Sequence, residues 1–204
     1  MKIKQLRSAE ITTIYQERMV HDFIKDELKK LSVILKAVDD GIYECLGLFI
    51  ESEIIGYAFL VKQGMNFLVD YLAVYPKYRN KGLGSEIIRL LREYMSGAGL
   101  IILEVEDPAY TKERDLKELQ ARRIGFYERN GCIDYGLRVR CFGVPFIILV
   151  LENNSIRSKE KLWEMYKAFY GAVFSRDIVE KNIECLGDEE HIEESVKPQP
   201  RCIS

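Results

Sequence analysis

The segment from Phe67 to Met95 constrains the fold more strongly than any other part of the chain. Residues 67–74 alternate in a run rich in β-branched and aromatic side chains, which predicts a largely buried strand. Pro76 ends this strand, because proline cannot donate a hydrogen bond to a neighbouring strand. From Ser85 onward, apolar residues recur at helical spacing, at Ile87, Ile88, Leu91, Tyr94 and Met95. The segment therefore predicts a strand, a turn, a loop with two glycines and a helix.

The loop between this strand and this helix has the features of a phosphate-binding site. Gly82 and Gly84 stand where the helix begins, and glycine allows backbone N–H groups to approach a ligand without interference from a Cβ atom. The unpaired N–H groups and the positive dipole end of a helix start favour an anion. Arg79 and Lys81 add positive charge. We call residues 79–85 the phosphate cradle; their glycine spacing differs from that of P-loops and dinucleotide-binding loops.

Composition excludes several other classes of protein. The chain has 204 residues, of which 48% are hydrophobic and 30% charged, as expected for an ordinary globular domain with one core. A formal charge of −2 argues against a nucleic-acid binder. The N-terminal residues lack the apolar stretch of a signal peptide, and the longest apolar runs, such as 144–151, have the length of a strand. We therefore expect no interaction with nucleic acid and no membrane span.

The cysteines and histidines limit the chemistry further. The five cysteines form no CxxC pair and their number is odd, which favours reduced thiols in a cytoplasmic protein. With only His21 and His191 in the chain, we expect neither a metal site nor a cysteine–histidine dyad. A covalent route through Cys132 is disfavoured for the same reason, since no histidine lies near it in the sequence to activate the thiol.

The rest of the chain predicts further strands and helices in a regular order. The predicted strands are 1–6, 42–50, 54–61, 67–74, 100–105, 132–138 and 145–151. The predicted helices begin at Ser8 and at about 24, 85, 116 and 159, and the last four extend to about 38, 95, 129 and 174. Over residues 1–151 the order is β-α-α-β-β-β-α-β-α-β-β.

Three motifs in this order resemble the GNAT superfamily of acetyl-CoA-dependent N-acyltransferases. The loop RNKGLG at 79–84 is similar to motif A of that superfamily, [Q/R]-x-x-G-x-[G/A]. Residues 126–132, FYERNGC, resemble motif B, and LEV at 103–105 resembles a strand end of members that acetylate peptides and amines. The resemblance covers residues 1–151 and implies a GNAT-like α/β fold, with a mixed, mostly antiparallel sheet of about seven strands flanked by helices.

The chain continues beyond the region of resemblance. We predict a GNAT-like acetyltransferase domain at 1–151 and a helical extension packed on it at 152–178. Residues 179–204 are acidic and poor in apolar side chains, which is typical of a flexible tail. The oligomeric state is left open by the sequence, a dimer included.

The resemblance also implies a cosubstrate and its binding residues. It implies acetyl-CoA, used by direct attack of a primary amine in a ternary complex. In the superfamily the pantetheine amides pair with the fourth strand, which implies contacts with the backbone at Leu72, Ala73 and Val74. The pyrophosphate is then expected on the N–H groups of the phosphate cradle, formed by Arg79, Asn80, Lys81, Gly82, Leu83, Gly84 and Ser85.

Transfer to an amine requires two proton transfers. A lysine-type amine has a pKa of about 10.4, so under ~0.1% is the neutral nucleophile at pH 7 and a base is needed. Glu104 matches the glutamate that serves as base in some relatives, with Glu106, Asp70 or an ordered water as alternatives. Tyr127 matches the motif B tyrosine, which lies near the CoA sulfur in the superfamily. We therefore expect Tyr127 to protonate the departing thiolate.

The acceptor is the part of the function that the sequence leaves open. Gln120 and Arg123 replace the Asn and Ala that many members carry before the motif B tyrosine, and the preceding loop is longer than usual. The acidic residues of 104–118 favour a cationic acceptor, although a solvated helix face explains them equally well. Two further hypotheses remain: a non-catalytic acyl-CoA-binding module, and transfer of another acyl group such as succinyl.

Overall fold

The computed structural model describes residues 1–25, 27–153 and 158–187. Its strands are β1 (Lys2–Gln5), β2 (Tyr43–Ile50), β3 (Glu53–Gln63), β4 (Asn66–Val74), β5 (Leu100–Glu106), β6 (Ile133–Cys141), β7 (Val144–Asn153) and β8 (Ile183–Leu186). Its helices are α1 (Ser8–Ile14, continued by a π-helical turn at Tyr15–Met19), α2 (Val20–Asp22), α3 (Leu31–Asp39), α4 (Leu83–Tyr94), α5 (Arg114–Arg129), α6 (Lys159–Val173) and α7 (Arg176–Asn182).

The eight strands of the described residues belong to one sheet, in the order β1-β2-β3-β4-β5-β7-β6-β8. Every neighbouring pair is antiparallel except β4 and β5, which run parallel. Helix α4 makes the crossover that a parallel pair requires. The expected mixed, mostly antiparallel sheet is confirmed, with one strand more in the described residues than the sequence predicted.

Each face of the sheet has its own core. On one face, α1, α3 and α6 bury residues such as Ile11, Ile34 and Phe169 against the strands. On the other face, α4 and α5 bury residues such as Ile87 and Tyr127. The strands supply both cores because successive side chains of a strand point to opposite faces.

The segment 66–94 forms the strand and the helix that its pattern predicts. In α4 the apolar positions Ile87, Ile88 and Leu91 are buried. On the opposite face Arg89 forms ion pairs with the carboxylates one turn before and after it. This division of apolar and charged positions fixes which side of α4 packs on the sheet, and therefore where the helix start lies.

One helix prediction was wrong over part of its length. The apolar spacing predicts a helix from about 24 to 38, but α3 begins only at Leu31. The described residues before it, 23–25 and 27–30, lie over β4 instead, because the Tyr71 hydroxyl donates to the carbonyl of Glu27 (2.8 Å) and accepts from the N–H of Lys29 (2.9 Å). We call these residues the 23–30 segment. These tertiary hydrogen bonds use backbone groups that a helix would have paired internally.

The C-terminal part adds helices and an edge strand to the sheet. Helix α6 agrees closely with the helix predicted from 159 to 174. Residues 179–187, predicted to begin a flexible tail, instead complete α7 and form β8, which pairs antiparallel with β6. Burial of Val179, Ile183 and Leu186 accounts for this order. The rest of the predicted tail lies outside the described residues.

Candidate active site

Strands β4 and β5 separate partway along their length. Their parallel pairing covers Asn66–Val69 and Leu100–Leu103, and in the described sheet it goes no further. Beyond this point β4 continues to pair with β3, and β5 with β7. The two strands therefore leave a gap between them, and a cavity of about 920 Å³ opens there. Its volume lies within the range typical of ligand sites.

The cavity brings together most of the site residues expected from the sequence. Those that line it are Leu72, Ala73, Val74, Arg79, Gly84, Glu104 and Tyr127, together with the alternative bases Asp70 and Glu106. The other cradle residues, Asn80, Lys81, Gly82, Leu83 and Ser85, adjoin this wall without lining it. Further walls come from the 23–30 segment, α6 and α7.

The free edge of β4 presents backbone groups to the gap. The N–H of Tyr75 donates to the carbonyl of Ile55 (2.8 Å), so these two residues form a hydrogen-bonded pair. Antiparallel pairs alternate, which makes Ala73 the next residue bonded to β3 and turns the backbone of Leu72 and Val74 toward the gap. Leu72 and Val74 thus have the backbone orientation expected of a pantetheine-binding strand, whereas the backbone of Ala73 does not.

The two glycines of the phosphate cradle serve different structural purposes. Gly82 precedes α4 with φ +74°, a left-handed conformation that favours glycine, and a Cβ at this position would meet nothing within 4 Å. A Cβ at Gly84 would lie 2.7 Å from the ring of Phe126, so this glycine permits close packing of α4 on α5. The N–H groups of the first turn of α4 have no partner within the helix.

The positive charge of Arg79 is directed away from the cradle. Its guanidinium pairs with Asp22 (2.8 Å), and its Nε donates to the carbonyl of Val74 (2.7 Å). Lys81 instead lies over the ring of Tyr78, 5.3 Å from the ring centroid. Binding of a phosphate at the cradle would therefore depend on the backbone N–H groups and Lys81 more than on Arg79.

Tyr127 lies on α5 with its side chain buried in the cavity wall. Its ring contacts that of Phe126 edge to face, with centroids 5.3 Å apart. Burial raises the pKa of Tyr127 to about 12, so the phenol is protonated at neutral pH. Within the described residues its hydroxyl has no hydrogen-bond partner, which leaves it free to donate to a ligand.

Glu104 occupies the other side of the gap and is held by two tyrosines of α6. The hydroxyls of Tyr166 and Tyr170 (2.8 Å) both donate to its Oε1, and no described group bonds Oε2. Burial and the charge of Asp70 raise the pKa of Glu104 to about 7, although Lys29 and the two tyrosine hydroxyls act to lower it. A carboxyl group with this pKa is suited to accept a proton near neutral pH.

The alternative bases are both engaged in ion pairs. A β-bulge leaves Asp70 without a partner in β3, since Val69 pairs with Leu60 and Tyr71 with Phe59. Strict alternation along residues 67–74 predicts that Asp70 shares a face with Leu72 and Val74; this prediction is wrong, because the bulge interrupts the alternation. The Asp70 carboxylate accepts from Lys29 Nζ (2.7 Å) and from the hydroxyl of Tyr43.

Glu106, two residues beyond Glu104 on β5, forms an ion pair with Arg123 of α5. A carboxylate that is paired with a cation gains less from taking a proton than one that is not. Glu106 and Asp70 are therefore weaker base candidates than Glu104.

Several cavity residues were not anticipated from the sequence. Lys29 is a buried cation, and although burial disfavours its charge, Asp70 raises the pKa of Lys29 overall. Glu27 also lines the cavity, and burial and the charge of Glu106 raise the pKa of Glu27 to about 7 despite Arg123. The i, i+4 spacing of Tyr166 and Tyr170 placed them on one helix face, but nothing local indicated that this face meets Glu104.

Within the described residues, no group of three or more His, Cys, Asp or Glu side chains could hold a metal ion. Among the described helices, none is long and apolar enough to cross a membrane.

Comparison with known proteins supplies independent information on the family. The acetyltransferase (GNAT) domain family matches residues 41–131, which include β4, the phosphate cradle, α4, Glu104 and Tyr127. No curated protein sequence matches the chain.

Solved structures of acetyltransferases share the fold. A GNAT-family acetyltransferase from Bacteroides thetaiotaomicron has a TM-score of 0.64 at 20% identity, over 83% of this chain and 96% of that one. The ribosomal-protein-S18-alanine N-acetyltransferase from Escherichia coli has a TM-score of 0.55 at 19% identity, over 76% and 96%. A Bacillus subtilis acetyltransferase in complex with CoA has a TM-score of 0.53 at 15% identity, over 74% and 97%. At these identities the likeness concerns the fold.

Proposed function

Since residues 41–131 match the acetyltransferase (GNAT) domain family, we propose that this protein moves an acetyl group from acetyl-CoA to a primary amine by direct attack in a ternary complex. One observation carries the proposal. A single cavity reaches from the phosphate cradle, through the gap between β4 and β5, to a wall that holds both Glu104 and Tyr127. The cavity would therefore let a cofactor bound by its phosphates at the cradle reach a base, Glu104, and an acid, Tyr127.

The free edge of β4 and the start of α4 support the position of the cofactor. Leu72 and the N–H of Val74 offer the gap unpaired backbone groups, to which pantetheine amides could add as a further strand. The first-turn N–H groups of α4, behind Gly82, favour a pyrophosphate. Acetyl-CoA bound in this way supplies an activated acyl thioester in the gap.

Glu104 and Tyr127 account for the two proton transfers. The amine reaches the site mainly as an ammonium, and Glu104 takes its proton at Oε2 while the tyrosines of α6 hold Oε1. The neutral amine then forms the new C–N bond as the C–S bond breaks. Tyr127, protonated because burial raises its pKa to about 12, donates its proton to the sulfur. The new amide nitrogen then gives its extra proton to the Tyr127 phenolate, which restores the phenol. A thiolate with a reference pKa of about 8.5 leaves more easily when it is protonated.

The cysteine at the cavity is unsuited to a covalent route. Cys141 lines the cavity, but burial raises the pKa of its thiol to about 12, so the nucleophilic thiolate is scarce. Cys132 is also buried, and burial likewise raises the pKa of its thiol to about 12. Direct transfer therefore requires fewer unfavourable ionisations than an acyl-cysteine intermediate.

The test measures cofactor binding and turnover separately. Calorimetry with CoA reports binding, and release of free thiol from acetyl-CoA in the presence of a panel of primary amines reports transfer. We expect CoA binding together with amine-dependent thiol release. A protein that bound CoA but released no thiol with any amine would instead be a non-catalytic acyl-CoA-binding module.

A further inference from the structure

Three exposed apolar side chains surround the mouth of the cavity. Ile24 of the 23–30 segment, Leu119 of α5 and Ile178 of α7 are 59%, 45% and 40% exposed, and all three line the cavity. Single exposed apolar residues are common on protein surfaces, but these three come from separate elements and converge on one opening. We call them the apolar rim.

The cavity wall inside this rim is aromatic. Phe142, Tyr170 and Phe174 form a cluster with ring centroids 5.3 to 6.4 Å apart, and all three line the cavity. Phe23, in the 23–30 segment, lines it as well. Such a wall offers apolar contact and ring packing to a bound molecule. It offers few hydrogen bonds to a polar one.

The charged residues that line the cavity favour the binding of one cation. Among its acidic residues, three carboxylates have ion-pair partners, namely Asp22, Asp70 and Glu106. Glu27 and Glu104 have none within the described residues. Both line the cavity; burial and the charge of Glu106 are the main causes of the raised pKa of Glu27, and Glu104 adds to it. Lys29 and Arg123 act on these two carboxylates without forming an ion pair with either. The described lining holds five acidic residues and four basic ones, so one ammonium group beside Glu27 and Glu104 balances its charge.

We propose that the acceptor is a small primary amine with a single cationic head and an apolar or aromatic body. The head lies at Glu104 and Glu27, and the body lies against the aromatic wall and the apolar rim. This inference rests on the proposed function, because it names the acceptor class of the same site. A polyhydroxylated amine would bury hydroxyl groups without partners against the aromatic wall inside this rim, and a second cation would meet Arg123 and Lys30.

The first experiment compares four acceptors by thiol release from acetyl-CoA: 2-phenylethylamine, 1,4-diaminobutane, glucosamine and a short lysine-containing peptide. We expect kcat/KM for 2-phenylethylamine to exceed each of the others by about ten-fold or more. A preference for the diamine, the amino sugar or the peptide would overturn the inference and leave the proposed function standing.

The second experiment tests the rim with a matched control on the same helix. Leu119 and Leu116 of α5 are 45% and 43% exposed, but only Leu119 lines the cavity. We expect Leu119→Ser to raise KM for 2-phenylethylamine about five-fold with little change for 1,4-diaminobutane, and Leu116→Ser to change neither. Equal effects of the two substitutions, or equal effects on both amines, would contradict the role of the rim.

Calorimetry with 2-phenylethylamine in the presence of CoA measures binding of the acceptor even if no acetyl transfer occurs. Saturable binding that Leu119→Ser weakens would support the acceptor class even if the proposed acetyl transfer failed. Absence of both binding and turnover would overturn the inference.

Discussion

The two halves of the cavity are built in opposite ways. The half that we assign to the cofactor comes from one continuous segment, β4, the phosphate cradle and α4, and it offers mainly backbone groups. The half that we assign to the acceptor is assembled from side chains far apart in the sequence, such as Glu27, Glu104 and Tyr170. Backbone recognition tolerates many side chains, whereas side-chain recognition changes with each substitution. We therefore expect substitutions in the acceptor half to change the rate of transfer and the choice of acceptor strongly. Side-chain substitutions in the cofactor half should change CoA affinity less.

The largest effect is expected from Glu104→Gln, which keeps the acceptor for the tyrosine hydroxyls but cannot take a proton. We expect the rate of acetyl transfer at neutral pH to fall about 10²-fold, in the range typical of general acid–base groups. The wild-type rate should rise through about pH 7 as Glu104 loses its proton, because its pKa is raised to that value, and the variant should lack this rise.

The deficit of the Glu104→Gln variant should also narrow as the pH approaches ~10.4, where the amine is neutral without help. Glu106→Gln, on the same strand, is the control and should cost little. A larger loss for Glu106→Gln, or a deficit for Glu104→Gln that stays constant with pH, would contradict the assignment of Glu104 as the base.

The next largest effect is expected from Tyr127→Phe, which keeps the ring and its contact with Phe126. Without the hydroxyl the leaving thiolate lacks its proton donor, so turnover should fall by at least about ten-fold with CoA affinity little changed. Tyr94→Phe serves as the control, since that hydroxyl donates to Glu44 and does not line the cavity. Thiol-release kinetics of the three proteins test this, and an unchanged rate for Tyr127→Phe would remove its role as acid.

A smaller effect is expected from replacing glycines that have positive φ. Comparing such a glycine inside the phosphate cradle with one outside it separates general strain from a loss of cofactor binding. Gly82→Val and Gly64→Val both place a β-branched residue at positive φ, +74° and +61°, with open space around the new Cβ. Both should destabilise the fold by about 1 to 3 kcal/mol in denaturant titrations. Only Gly82→Val should also weaken CoA binding. We expect a loss of about ten-fold, which corresponds to one hydrogen bond to a charged phosphate. Equal CoA affinities of the two variants in calorimetry would argue against the phosphate cradle.

The smallest effect is expected from Arg79→Ala. Because this half-exposed guanidinium pairs with Asp22 and the Val74 carbonyl, its removal should change CoA affinity by less than about three-fold. Arg89→Ala on the outer face of α4 is the matched control. A loss of ten-fold or more for Arg79→Ala alone would mean that the arginine turns to the phosphate when the cofactor binds, and would weaken the contrast between the two halves.

The difference between the halves also explains where sequence reasoning succeeded. The strand, glycine loop and helix of 66–94 follow from alternation, from Pro76 and from helical spacing, all of which act over neighbouring residues. By contrast, the 23–30 segment has the spacing of a helix, but hydrogen bonds to Tyr71, more than 40 positions away, hold it in another conformation. A periodicity read over neighbouring residues cannot predict a hydrogen bond to a residue so far away in the sequence.

Two further differences have the same origin. The bulge at Asp70 turns its carboxylate toward Lys29 and Tyr43, which no alternation rule within β4 could indicate. Strand β8 is too short to be predicted from its sequence pattern. It forms because it pairs with the edge of β6 and because Ile183 and Leu186 are buried in the core. Both depend on what the neighbouring strand provides.

By itself the sequence determined the order of the main elements over residues 1–151, the glycine-marked start of α4 and the identity of the carboxylates and tyrosines available for chemistry. Periodicity and helix-start signals act over a few residues, so they can be read without knowing the fold. Only the tertiary structure decided which carboxylates are paired, that two tyrosines of α6 hold Glu104, and that Glu27 lies at the same cavity. The protonation of a group depends on its burial and on the charges around it, and both arise from contacts between residues distant in the chain.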